Sequence, residues 1–319
     1  MKVVITARDY SKYDSEAVEL LRKSGLEVVD LSDTGCGTGT TPEQMTEYIG
    51  DADIVITGLE PMQASTINAC PNLKMLSKRS IGYDSVDLEA CREAGITVTR
   101  TAGAVEAAVA EHVIAFVMYF ARNIVDMNSA MHEGNWTRIM SYGAKSRTIG
   151  LVGFGGIGKE IAVRARAMGM EVIYYCRHPK EEYETEYGAK SVSLDELIST
   201  SDYISVNVPL TKETERMFGA KEFAKMKKEC VFINIARGQV MDDKALAEAL
   251  NNGKIRGAGI DVFDSEPCTD SVLKDCKNAI LTPHTAPFTS ENFRKMNLIA
   301  AQNVIDYING CILENNRLV

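Results

Sequence analysis

Histidine is scarce in this chain: 319 residues contain only four, with a single tryptophan, and the eight cysteines nowhere adopt a C-x-x-C spacing. That spacing is what ordinary zinc and redox motifs need, so no metal site is expected. Scattered thiols belong in a reducing compartment, most of them as small core residues, and a cytoplasmic protein is expected. Base is also in deficit, with 35 Lys and Arg against 44 Asp and Glu and a net charge of -9. Without a basic stripe there is no footprint for nucleic acid. No long uninterrupted apolar run occurs either. The greasiest segment, "AAVAEHVIAFVMYFARNI", contains Glu111, His112 and Arg122, which suits a buried helix and not a membrane span. The opening "MKVVITARDYSKYD" shows no signal-peptide core. What is left is an ordinary globular composition in a chain long enough for two domains, and a small-molecule partner is the natural expectation.

Two α/β runs are legible. In the first hundred residues "KVVITA", "LEVVDL", "DIVITG", "LKMLSK" and "ITVTRT" read as strands, several of them continuously apolar. Strands buried on both faces look like this, which indicates a parallel sheet. "DSEAVELLRKSG" supplies a helix closed by Gly25, and Thr41, Pro42 and Gln44 in "TTPEQMTEYI" mark a capped helix start. A second run begins near Thr148 with "TIGLVGF", "EVIYYC", "YISVNVP", "VFINIA", "GAGIDVF" and "AILTPH" as strands, and Ser193 and Glu196 suggest a capping box. The closing "SENFRKMNLIAAQNVIDYINGCIL" is an amphipathic helix suited to packing on the first domain.

The second run opens on "GFGGIG", which places Gly153, Gly155 and Gly158 in G-x-G-x-x-G register between an apolar strand and a helix. A tight turn, close backbone approach to pyrophosphate and a helix N-terminus are what a dinucleotide needs. The acid that usually holds the adenosine ribose about 20 residues further on is missing. Cys176 stands at that strand end, followed by Arg177, His178 and Lys180. A carboxylate would repel a 2′-phosphate whereas an Arg pairs with it, so the cofactor leans towards NADP over NAD. The other reading is a solvated basic loop that accepts NAD.

Hydride transfer to a carbonyl needs a proton donor, for which His is the usual choice. His112 lies in an apolar helix as a satisfied core residue, His132 in the polar "MHEGNW", and His178 beside the adenosine end. His284 remains, just past a strand end, where open α/β sheets place ligands. Two more strand ends deliver Arg237 and the group Asp261, Asp264 and Glu266. A guanidinium suits a carboxylate or carbonyl oxygen, and a carboxylate beside an imidazole keeps it protonated. Taken singly, each is equally an ordinary salt-bridging residue.

"NIARGQVMDDKAL", "GAGIDVFDSEP" and "LTPHTAP", in that order, with "PNLKMLSKRSIGYDSVDLEACREAGITVTRTAG" before them, resemble the D-isomer-specific 2-hydroxyacid dehydrogenase family over nearly the whole chain. The resemblance implies two doubly wound parallel-sheet α/β domains. A Rossmann dinucleotide-binding domain, residues 100–287, would be inserted in a discontinuous flavodoxin-like substrate domain, residues 1–99 and 288–319. It implies a catalytic set of Arg237 holding a 2-oxo acid, His284 giving a proton to its carbonyl oxygen, and Glu266 orienting His284. The cofactor set would be Gly153, Gly155, Gly156, Ile157, Gly158, Cys176, Arg177, His178, Val208, Pro209, Ala236 and Asp261, the last on the nicotinamide carboxamide. Ser80 and the amides of Ile81 and Gly82 would meet the substrate carboxylate, and the chain would be a homodimer through "NSAMHEGNWTRIMSYG".

Ser80, Arg100, Ala102 and Cys176 depart from residues frequent in the family. The ending "YYCRHPK" is more similar to NADPH-dependent glyoxylate and hydroxypyruvate reductases. Those two acids are the first expectation for substrate. Phosphoglycerate is an alternative if Lys78, Arg79 and Arg100 meet a phosphate rather than lying as surface charges. A phosphite-type oxidoreductase and a dinucleotide-sensing corepressor-like protein are the others. Glu60, Met62 and Phe288 are candidates to line the substrate pocket.

Overall fold

The computed structural model describes residues 1–37 and 39–319 as two compact units, Met1–Val105 with Phe288–Val319, and Glu106–Pro287. The first unit holds strands β1 (Lys2–Ile5), β2 (Glu27–Asp30), β3 (Ile54–Thr57), β4 (Met75–Lys78) and β5 (Thr97–Thr99). They form an all-parallel sheet in the order β2-β1-β3-β4-β5, the flavodoxin-like winding. β3 and β4 are buried at every position, as central strands of a parallel sheet are, although β4 ends in Ser77 and Lys78. Helix Glu16–Lys23 packs Ala17, Val18 and Leu21 inward, and Gly25 at φ +80° lets the Leu26 amide return to Leu21 O. Thr41 and Gln44 cap helix Pro42–Ile49 reciprocally, whereas at Ser193 the bond made is the one the Glu196 amide donates to its hydroxyl.

The chain returns to this unit through helix Ser290–Ile308, which buries Ala300, Ala301 and Val304 in the same core as Val3 and Ile5. This unit continues beyond Thr99 to Val105 because the segment after β5 is bonded to the returning chain. Arg100 N donates to Asn316 O (2.8 Å), Asn303 Nδ2 to Arg100 O (3.0 Å) and Lys295 Nζ to Gly103 O (2.6 Å).

The second unit contains β6 (Thr148–Val152), β7 (Glu171–Tyr175), β8 (Ala189–Ser191), β9 (Tyr203–Val206), β10 (Val231–Asn234), β11 (Gly257–Ile260) and β12 (Ala279–Leu281). Its all-parallel order, β12-β11-β10-β9-β6-β7-β8, is Rossmann winding extended by one strand. β8 lacks any sequence signal: it is a three-residue edge strand, "AKS", with one buried side chain. Helix Glu106–Arg122 lies on β11, where Gly257 and Gly259 leave room for two rings. A Cβ would stand 2.4 Å from Phe120 Cε1 at the first and 2.7 Å from Phe116 Cγ at the second. Emptying one of those ring sites by Phe→Ala would cost about 3–5 kcal/mol. Among the described residues no single helix is long and apolar enough to cross a membrane.

Candidate active site

The strand order reverses between β6 and β9, and the crevice beyond their C-terminal ends is where such sheets bind ligands. Gly153 turns the chain there at φ +98°, its amide bonded to Tyr175 O at the end of β7 (2.8 Å). A Cβ on it would lie 2.8 Å from Asn207 O, so the loop closes against the segment leading to Val208 and Pro209 only without a side chain. Gly158 is equally confined, its Cβ position 2.6 Å from Gly153 O. Gly155 is the opposite: exposed, with nothing within 4 Å of its Cβ position, just before helix Gly156–Ala167. Open space at that glycine, with the first helical amides of Gly156, Ile157 and Gly158 behind it, fits a pyrophosphate. Cys176 is half-buried beside this loop, and Arg177, His178 and Lys180 are exposed. The Thr211 hydroxyl, its own amide and the charge of Arg177 hold the Glu213 carboxyl below its ordinary range.

Three strand ends on the other side of the reversal carry the acid-base candidates. After β10, fully buried Asn234 folds the chain over itself: its Nδ2 donates to Arg237 O (2.9 Å) and its Oδ1 accepts from the Ala236 amide (3.0 Å). Gly238 then touches the loop after β11, where a Cβ would be 1.9 Å from Phe263 C. Any side chain there would push the Arg237 segment off the Glu266 segment. In that second loop Glu266 Oε1 accepts from the Phe263 amide (3.0 Å), while Oε2 lies 2.6 Å from His284 Nδ1. Burial pushes the Glu266 carboxyl up, but its bond to His284, the imidazole charge, the Phe263 amide and Arg237 outweigh it, and the net direction is down. The Glu266 carboxyl is thus held ionised, and with Nδ1 engaged the other nitrogen of His284, Nε2, is left for a reacting atom.

His284 adopts φ +53°, a left-handed backbone that costs a non-glycine residue on the order of 1 kcal/mol. Asp261 holds it there. Its carbonyl accepts from the His284 amide (2.8 Å), Oδ1 from the Thr285 amide (2.8 Å) and the Thr282 hydroxyl (2.5 Å), and Oδ2 from the Ala286 amide (2.9 Å). The Asp261 side chain is only 1% exposed. The carboxylate is turned inward onto the histidine turn. Ala236 is likewise buried, at 8% exposure.

In the first unit Ser80 Oγ donates to Gly82 O (2.7 Å) and shapes the loop after β4. Among the described residues the amides of Ile81 and Gly82 have no acceptor in the chain, which suits them to a carboxylate. Lys78 and Glu60 are not surface or pocket groups. Each is 1% exposed, Lys78 Nζ bonding Gly58 O and Ser85 Oγ, and Glu60 Oε2 accepting from the Thr57 hydroxyl and the Gly58 amide. Arg79 is occupied by Arg8 O (2.9 Å) and the Phe293 ring (4.3 Å). Met62 is fully buried core and Phe288 is exposed. Sequence reasoning missed Asn234, Thr282 and the link from His112 to this site. A buried Asn just after an apolar strand was the available signal for the first, and no local pattern signals the others.

The D-isomer specific 2-hydroxyacid dehydrogenase, NAD binding domain model matches residues 114–286. Glyoxylate reductase of Thermococcus litoralis is 38% identical over 279 residues, 84% of each chain. D-3-phosphoglycerate dehydrogenase of Archaeoglobus fulgidus is 33% identical over 99% of this chain, which spans 59% of that protein. The crystal structure of a glyoxylate reductase from Paecilomyes thermophila superposes with a TM-score of 0.86 at 30% identity, covering 100% of this chain and 98% of the other.

Proposed function

The chain belongs to the D-isomer specific 2-hydroxyacid dehydrogenase family, NAD(P)-dependent oxidoreductases acting on CH–OH groups, and from that premise we propose that it reduces glyoxylate or hydroxypyruvate with NADPH. The observation that carries the mechanism is the 2.6 Å contact between Glu266 and His284 at adjoining strand ends. A bound nicotinamide supplies the hydride. Glu266 orients His284 through Nδ1, and His284 gives a proton from Nε2 to the carbonyl oxygen of the 2-oxo acid as the hydride arrives at its carbon. Arg237, held over β10 by Asn234, orients the substrate and steadies the growing negative charge on that oxygen.

NADPH is favoured by the absence of a carboxylate at Cys176 and by exposed Arg177, His178 and Lys180. A small 2-oxo acid without a phosphate is favoured over phosphoglycerate, because Lys78 and Arg79 are engaged inside their own unit. Steady-state reduction of glyoxylate, hydroxypyruvate, pyruvate and phosphohydroxypyruvate with each cofactor tests both choices. Turnover should be highest on the first two with NADPH, and Arg177→Ala should raise the KM for NADPH about tenfold, the scale of one lost charge-assisted contact. Best turnover on the phosphorylated acid, or an NADH preference untouched by Arg177→Ala, would contradict it. A homodimer is proposed through the segment following Arg122. Helix Ile124–His132 buries no residue, and Trp136 and Met140 are 77% and 88% exposed, an apolar surface that a second copy would cover. Sedimentation as a monomer at micromolar concentration would sink that proposal.

A further inference from the structure

Behind the His284 turn lies a second histidine that the chemistry above leaves unused. His112 reaches from the middle of helix Glu106–Arg122, its Nε2 3.1 Å from Thr282 Oγ1 and 3.8 Å from Asp261 Oδ1, with Phe116 edge-on at 4.7 Å. Thr282 has one hydroxyl hydrogen. At 2.5 Å from Asp261 Oδ1, an acceptor-only carboxylate, that hydrogen is committed to Asp261. The Thr282 oxygen must then accept from His112, which fixes the imidazole as the tautomer protonated on Nε2. Burial pushes the His112 imidazole down against the pull of Asp261, consistent with a neutral ring. The donors run in one direction, from His112 to Thr282 to Asp261, and end on the carboxylate that receives the Thr285 and Ala286 amides just after His284.

We infer that His112 and Thr282 are positioning residues for His284, a relay that orients the Asp261 carboxylate and so holds the proton-donating turn in its left-handed conformation. The inference rests on the proposed role of His284 and assigns the relay a share in it. Without the Thr282 hydroxyl, Asp261 Oδ1 keeps one amide and loses the donor that fixes its plane. A displaced catalytic group loses rate far more readily than the ground state loses affinity.

The test compares Thr282→Val, Thr282→Ser, His112→Leu, His112→Gln and the Thr282→Val/His112→Leu double variant in glyoxylate reduction, with His284→Asn as reference. Thr282→Val should lower kcat roughly tenfold with KM within a factor of about two. Ser should restore it, and Gln, which keeps a donor at the reach of Nε2, should retain more than Leu. The double variant should be no slower than Thr282→Val alone, because both changes cut one relay. Wild-type kcat in Thr282→Val, or losses that multiply in the double variant, would overturn the relay. If Thr282→Val does not fold, the His112 pair decides: equal rates for Leu and Gln overturn it. An inactive His284→Asn beside a full-rate Thr282→Val means that the relay alone fails, and an active His284→Asn means that the reading of His284 fails.

Discussion

Both sheets carry charged residues at or just past the C-terminal ends of strands, and the two units use them in opposite ways. In the first, Lys78 and Glu60 are sealed at 1% exposure, Lys78 Nζ on Gly58 O and Ser85 Oγ and Glu60 Oε2 on the Thr57 hydroxyl and the Gly58 amide. In the second, Glu266 and His284 keep 21% and 25% of their side chains exposed and bond each other. Charge sealed inside its own unit fixes a loop, whereas a partly exposed pair at a crevice retains a proton to give. The contrast teaches that a charge sealed inside its own unit holds a loop, whereas a partly exposed, mutually bonded pair at a crevice is the catalytic candidate.

That contrast can be broken by substitution. Lys78→Met strands the Gly58 carbonyl and removes a buried cation, and should lower stability by about 3–5 kcal/mol, read as a large fall in Tm. Arg237→Ala should do the reverse, lowering kcat/KM roughly 10²–10³-fold, the scale of one lost transition-state donor, with Tm nearly unchanged. Equal effects of the two on Tm would erase the distinction. The smallest expected effect is at Asp243, whose carboxyl is pushed up to about 6 by burial and by Asp264, against Arg216. The folded state there takes up a proton that the unfolded chain has already lost, so stability falls as pH rises from about 4 to about 6. Asp243→Asn removes this slope and should raise Tm more at pH 7 than at pH 4. A uniform shift would show that Asp243 does not titrate in that window.

Much of this was legible in the sequence because the signals are local. Val- and Ile-rich runs gave the strands of both sheets except β8, whose "AKS" carries too little apolar pattern. G-x-G-x-x-G within strand, loop and helix located the crevice. Arg237, Glu266 and His284 stood out as charges after strands. Depth was not legible: Lys78, Arg79 and Glu60 read as surface or pocket groups because a strand-end charge looks the same whether it faces water or a backbone carbonyl. Nor was pairing across distance, since His112 and Thr282 are 170 residues apart, beyond any helical or strand period. The part Asp261 plays in the histidine turn was hidden for the same reason, as its carboxylate accepts from amides some 24 and 25 residues further on.

The central claim is that the Glu266–His284 pair supplies the proton for carbonyl reduction, and the pH profile of kcat/KM for glyoxylate tests it most directly. In the wild type the rate should fall on the alkaline side as the pair loses its proton, and Glu266→Gln, which removes the carboxylate favouring imidazolium, should move that fall to lower pH. An alkaline limb that stays at the same pH in Glu266→Gln would contradict the account.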